Sequence, residues 1–106
     1  MPAKIYRAAQ ARLLEIWDHT ERTWSENHAD GYVRELVAAA HQASEDRTRW
    51  RPVKNRALPG IFFIRHRNRF IFFRELSSGE VGVISILHES MDLPSRLLDD
   101  MQEGAG

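Results

Sequence analysis

The sequence contains no cysteine. That excludes a disulfide framework, cysteine-based zinc sites and thiol catalysis, and it fits a reducing compartment. Long hydrophobic runs are also missing. The opening MPAKIYRAAQ has no apolar stretch of signal-peptide length, and no segment approaches the roughly 20 apolar residues of a membrane span. The expectation is a soluble, cytoplasmic protein with no membrane partner. The six glycines, at positions 31, 60, 79, 82, 104 and 106, never gather into a Gly-rich phosphate loop. The five histidines, at 19, 28, 41, 66 and 88, include no pair four apart and no HExxH motif, so neither a metal nor any other cofactor is expected. Repeats and low-complexity tracts are lacking as well. At 106 residues and 42% apolar content the chain has the size and composition of one folded domain, 1–106, with 102–106 frayed.

What is present is concentrated in Ile61–Asp92. Ile61–Arg65, Phe70–Arg74 and Val81–Leu87 are dense in the β-branched and aromatic residues that suit a pleated sheet. His66-Arg67-Asn68-Arg69 separates the first two and Ser77-Ser78-Gly79-Glu80 the last two. Links this short make neighbouring strands antiparallel, which predicts a three-stranded meander. Upstream, Lys4–Arg7 reads as a short edge strand. From Ala8 the spacing of Leu13, Ile16, Trp17, Thr20 and Trp24 is helical. Ser25–His28 reads as a connector, and Tyr32, Val33, Leu36, Val37, Ala40 and Ala43 mark a second helix ending near Ser44–Asp46, with Ala38, Ala39 and Ala40 permitting close approach. Arg47–Pro59 is irregular, anchored by Trp50 and Leu58. After the meander, Asp92 as N-cap and Pro94 in the first turn start a final helix through about Met101, its apolar face formed by Leu93, Leu97, Leu98 and Met101. The fold class is α+β: an N-terminal α-helical hairpin packed on a small antiparallel β-meander, with a short C-terminal helix.

Two imbalances bear on function. Strands Ile61–Ile64 and Phe70–Phe73 are apolar on both faces, because alternate residues point opposite ways. The hairpin covers one face, and only a short helix is left for the other. An exposed apolar groove and a protein partner follow from that shortage. Charge is segregated too, although the formal total is zero. Residues 47–74 carry nine basic side chains (Arg47, Arg49, Arg51, Lys54, Arg56, Arg65, Arg67, Arg69 and Arg74) and no acidic one. The flanks on either side are net acidic. Such a block favours a negatively charged partner.

Catalytic constellations are weak. Ser85, His88 and Asp92 are close along the chain, but spacing along one strand does not assemble a triad. RNA cleavage needs an acid or base beside several cations. His88, Arg65, Arg74, Lys54 and Arg56 supply those residue types, with Arg65 and Arg74 able to share a sheet face and His88 at the end of the third strand.

The order of hairpin, basic connector, meander and final helix, with Phe70-Ile71-Phe72-Phe73-Arg74 and then Ile86-Leu87-His88-Glu89-Ser90-Met91-Asp92, resembles the RelE/ParE superfamily of toxins from type II toxin–antitoxin systems, and the ParE branch in particular. Leu13, Ile16 and Trp24 fit the helical half more loosely. The resemblance implies a bacterial toxin that binds and poisons DNA gyrase, blocking replication without a dedicated catalytic set, and a cognate ParD-like antitoxin that wraps an apolar tail around it in a hetero-oligomer. On this reading Arg65, Arg67, Arg69, Arg74, His88 and Met91 meet the target, and Trp17, Trp24, Phe62, Phe70 and Phe72 meet the antitoxin. The alternative is a ribosome-dependent mRNA endoribonuclease of the RelE type using His88, Arg65, Arg74 and Lys54. Glu89 after His88 and the lack of a late tyrosine depart from that type.

Overall fold

The computed structural model describes residues 3–89 and 93–105, with side chains as far as Gln102. In chain order the elements are β1 (Lys4–Ile5), α1 (Arg7–Thr23), α2 (Glu26–Glu45), one 3-10 turn (Arg47–Arg49), β2 (Arg51–Pro52), β3 (Ile61–His66), β4 (Arg69–Glu75), β5 (Val81–His88) and α3 (Leu93–Ala105). The five strands form one mixed sheet in the order β1-β5-β4-β3-β2. The α+β architecture is that expected, and the sheet is wider than the meander at its centre.

Both added strands are two-residue edges. β1 runs parallel to β5, with Lys4 opposite Gly82 and Ile5 opposite Val83. Gly82 permits that approach, since a Cβ there would stand 3.1 Å from Tyr6 Cζ. β2 pairs antiparallel with Phe62 and Phe63, and Pro52, which cannot donate to a ladder, is tolerated because the strand is an edge. Neither strand carries the alternating pattern that marks a longer one.

Two boundaries differ from the sequence reading. The helical hairpin turns on Trp24 and Ser25 alone: Ser25 Oγ accepts from His28 N at 3.1 Å, so Glu26–His28 form the first turn of α2 rather than a connector. A serine N-cap followed by an acid in the first turn is a strong start signal. At the other end α3 continues past Met101 to Ala105. The expected Asp92 cap lies outside the described residues.

The sheet separates two cores. Register fixes the faces: Ile64, Ile71, Phe73, Val83 and Ile86 look toward the hairpin and pack with Leu13, Ile16, Leu36 and Ala40. Ala9, Ala29, Ala40 and Ala43 are completely buried, which is how the two helices approach closely; Ala38 faces out. Trp50 is wedged under this layer, stacked on Phe73 at 5.6 Å and donating Nε1–H to the Ala43 carbonyl at 2.7 Å.

Ile61, Phe72, Ile84 and Leu87 form the second face and pack with Leu58 and Leu97. A bulge between Phe72 and Phe73 places both Ile84 and Ser85 on this side. One buried polar network fastens α3 there. Asp100, only 5% exposed, receives Arg12 Nε at 3.0 Å and a second Arg12 nitrogen at 3.1 Å, and it accepts a short hydrogen bond from Ser85 Oγ. Three elements, α1, α3 and β5, meet at that carboxylate. The second face is therefore covered more completely than the sequence inventory allowed, because Leu58 in the loop before β3 packs there beside Leu97 of α3.

Candidate functional site

The basic block does not form one uniform patch. Arg65 and Arg67 flank the β3–β4 turn, and each meets an acid: Arg65 with Glu89 at 2.6 Å, Arg67 with Glu35 at 3.0 Å. His66 Nε2 approaches the same Glu35 oxygen at 3.1 Å. Desolvation raises the Glu35 pKa, but the hydrogen bond and charge of Arg67, helped by His66, outweigh it and hold the carboxyl below its usual range. Arg67 occupies the left-handed region at φ 56°, a conformation that normally favours glycine. Its carbonyl accepts Arg65 Nε at 2.8 Å. Arg47 pairs with Glu75 at 2.8 Å and lies over Trp50.

Arg49, Arg51, Lys54, Arg56 and Arg74 are exposed and make no ion pair among the described residues. Arg49, Arg51, Lys54 and Arg56 lie in and around β2, and Arg74 lies on the central strand β4. β2 covers only Phe62 and Phe63 of the six-residue β3, so the edge beyond, at Ile64 and Arg65, opens into a groove of about 770 Å³ that Arg49, Arg51 and Trp50 also line.

The four residues of an RNA-cleaving set are not brought together. Arg65 and Arg74 do share a face, but Arg65 is opposite Phe70 and Arg74 opposite Ile61, at the two ends of the β3–β4 ladder. Four residues of strand separate them, roughly 13 Å at a rise of about 3.3 Å per residue. His88 is opposite Arg69 and belongs to the other face, where its Nε2 lies 2.9 Å from Asn68 Nδ2. Lys54 sits in the loop after β2, beside Phe63, Phe70 and Leu93. Met91 lies outside the described residues. No group of three acids or histidines fit to hold a metal exists among the described residues.

The aromatic residues also divide. Phe72 is 4% exposed and belongs to the core. Phe62 packs its ring 5.4 Å from Trp50. Phe70 is half-buried and, with Phe63, Val53 and Leu93, lines a small apolar recess of about 150 Å³ on the α3 face. Trp17 is half-buried and donates Nε1–H to Asp30 at 2.8 Å, tying α1 to α2. Trp24 is not core: it is 70% exposed and stacks on His28 at 5.2 Å. It follows the last residue of α1 at the hairpin tip, where it borders a recess shared with His28 and Tyr32.

On the hairpin side, Arg69 donates Nε–H to the Tyr32 hydroxyl at 3.2 Å and lies over that ring at 5.9 Å. Two adjoining recesses there share His19, Arg69 and His88. Reasoning from sequence missed this cluster and the Arg12–Asp100–Ser85 network, because both join residues far apart in the chain. The only available sign was polar residues recurring at core-facing positions.

With this geometry in place, the comparisons are direct. Residues 4–93 match the family described as ParE toxin of type II toxin-antitoxin system, parDE, and the chain belongs to that family. It is 35% identical over 94 residues to a protein of Mycobacterium tuberculosis named Toxin ParE1, covering 85% of this chain and 91% of the relative. A Caulobacter vibrioides protein of the same name is 29% identical over 96 residues, covering 91% and 97%. Among solved structures, a chain of the chromosomal ParDE system of Pseudomonas aeruginosa superimposes with a TM-score of 0.72 at 22% identity, covering 83% of this chain and 95% of that one. A chain of the RelBE2 toxin–antitoxin complex of M. tuberculosis gives 0.59 at 14%, covering 83% and 99%. These two show the fold. No helix among the described residues is long and apolar enough to cross a membrane.

Proposed function

We propose that this protein is a cytoplasmic toxin that inhibits DNA gyrase by binding it, blocks replication, and is held inactive by a ParD-like antitoxin in a hetero-oligomer. The observation that carries the reading is the match to the ParE family across nearly the whole described chain. His88 lies on the opposite sheet face from Arg65 and Arg74, and Arg74 stands at the far end of the ladder from both, which supports binding over catalysis. Arg49, Arg51, Lys54, Arg56 and Arg74, which make no ion pair among the described residues, are the natural contacts for an anionic target surface. Arg65 and Arg67 reach such a target only by exchanging Glu89 and Glu35 for it. The antitoxin's apolar tail is best accommodated at the Phe63–Phe70 recess beside α3. That the solved neighbours come from toxin–antitoxin systems supports such a partner.

Induction in bacteria tests this. DNA synthesis should stop before protein synthesis, and reversing Arg49, Arg51 and Arg56 to Glu should abolish toxicity while antitoxin binding survives. Early loss of translation, with messages cut at ribosome-bound codons, would replace this reading by the ribonuclease alternative.

A further inference from the structure

The groove on the hairpin side brings together Arg69 and His88, expected from the sequence to meet the target, and Trp24, expected to meet the antitoxin. It opens between α1, α2 and the β3–β4 turn as two adjoining lobes of about 370 and 310 Å³. Each falls in the range of small-molecule sites. His19, Arg69 and His88 line both lobes, and Trp24, His28 and Tyr32 extend one of them.

Three features point to one ligand class. First, Arg69 is pre-positioned by the Tyr32 hydroxyl and has no carboxylate partner among the described residues. Its neighbour across the ladder is His88, and exposed His19 faces the same space from α1. Second, Glu15 is the one carboxylate among the lining residues, and Arg12 engages it at 3.1 Å. Arg12 is also held by Asp100 and Arg67 by Glu35, which leaves Arg69 as the lining guanidinium with no carboxylate partner among the described residues and the one suited to an anion. Third, Trp24 offers a large exposed ring at the groove's edge, backed by the His28 ring at 5.2 Å and 19°. A cation beside an exposed stacking platform is the pairing that nucleotides require: a π-face for the base and fixed donors for the phosphate.

We propose that this groove binds a free nucleoside phosphate, with its base stacked on Trp24 and its phosphate held by Arg69 between His19 and His88. Plain phosphate would leave the exposed tryptophan without a role. The site lies on the opposite sheet face from the Phe63–Phe70 recess proposed for the antitoxin's apolar tail.

The test is a titration of the full chain with AMP, followed by calorimetry and tryptophan fluorescence, beside adenosine, inorganic phosphate and a short single-stranded oligothymidylate. AMP should bind and quench. Trp24→Ala should weaken it about tenfold by loss of stacking, while leaving inorganic phosphate binding unchanged. Arg69→Gln should weaken AMP and phosphate alike by about tenfold. Because Arg69 also touches Tyr32, exposed His19→Ala serves as a second variant and should weaken AMP severalfold with unchanged circular dichroism. Three results would each overturn the proposal: no AMP binding, AMP affinity indifferent to Trp24 and Arg69, or phosphate or the oligonucleotide binding where AMP is silent.

Discussion

Asp100→Ala should loosen α3 from the sheet, and the size of the effect can be worked out from the carboxylate's partners. The substitution removes a bidentate acceptor from Arg12, whose side chain is 15% exposed, and the acceptor of the fully buried Ser85 hydroxyl. Removing one member of a buried ion pair costs about 3–5 kcal/mol, mostly because the partner charge is stranded. Arg12 keeps Glu15 at 3.1 Å and some access to water, which places the expected cost at the lower end, about 3 kcal/mol. In a chain of this size that corresponds to a fall in Tm of roughly 12 °C or more. Ser85→Ala should cost only about 1 kcal/mol, since it removes the hydroxyl itself along with its bond. Replacing Arg12 and Asp100 together by Met and Leu should recover much of the loss, because a desolvated ion pair contributes little over a well-packed apolar one. Urea unfolding followed by circular dichroism measures all of these. If Asp100→Ala lies within 1 kcal/mol of the parent, or costs no more than Ser85→Ala, the network does not fasten α3 and the reasoning fails.

Other consequences concern the turn, the edge and pH. At φ 56°, Arg67→Gly should relieve about 1 kcal/mol of backbone strain and lose under ~1 kcal/mol of exposed ion pair, leaving stability nearly unchanged. Arg67→Val loses the pair and worsens the strain, so it should fall about 2 kcal/mol below the glycine variant in the same unfolding assay. Gly82→Ala drives a Cβ to 3.1 Å from the Tyr6 ring and should destabilise by ~1 kcal/mol, a penalty that a Tyr6→Ala background removes. Glu35 has a folded pKa below its unfolded one. Its contribution is therefore present above the unfolded value, near 4.3, and is lost as pH falls through the folded value. Glu35→Gln should flatten the stability profile below about pH 5, by no more than ~0.5 kcal/mol for so exposed a group. A pH series of unfolding midpoints checks this, and an unchanged acid limb would remove Glu35 from the account.

The central strands were legible in the sequence because their residues satisfy a local rule, β-branched and aromatic runs bounded by turns, that needs no partner to be recognised. The helical hairpin was legible for the same reason, through its apolar spacing. β1 and β2 were harder, since two residues carry no period, and both owe their pairing to distant segments. The coverage of the second face was misjudged because it depends on where Leu58 and Asp100 end up, and a polar Asp100 in a leucine-bearing helix gives no sign of its buried partners. The cation inventory was complete from sequence, yet which arginines stay unpaired was not. Glu35 and Glu89 reach Arg67 and Arg65 only through the fold. Trp24 followed the helical stripe but stands at its end, at the border of a recess rather than in the core.

A supercoiling assay bears most directly on the proposed function: purified gyrase, relaxed plasmid, ATP and increasing amounts of this protein, with and without its antitoxin. Loss of supercoiling with accumulation of cleaved plasmid, reversed by the antitoxin, is the predicted result. Undisturbed supercoiling at a toxin excess that arrests growth in cells would contradict it.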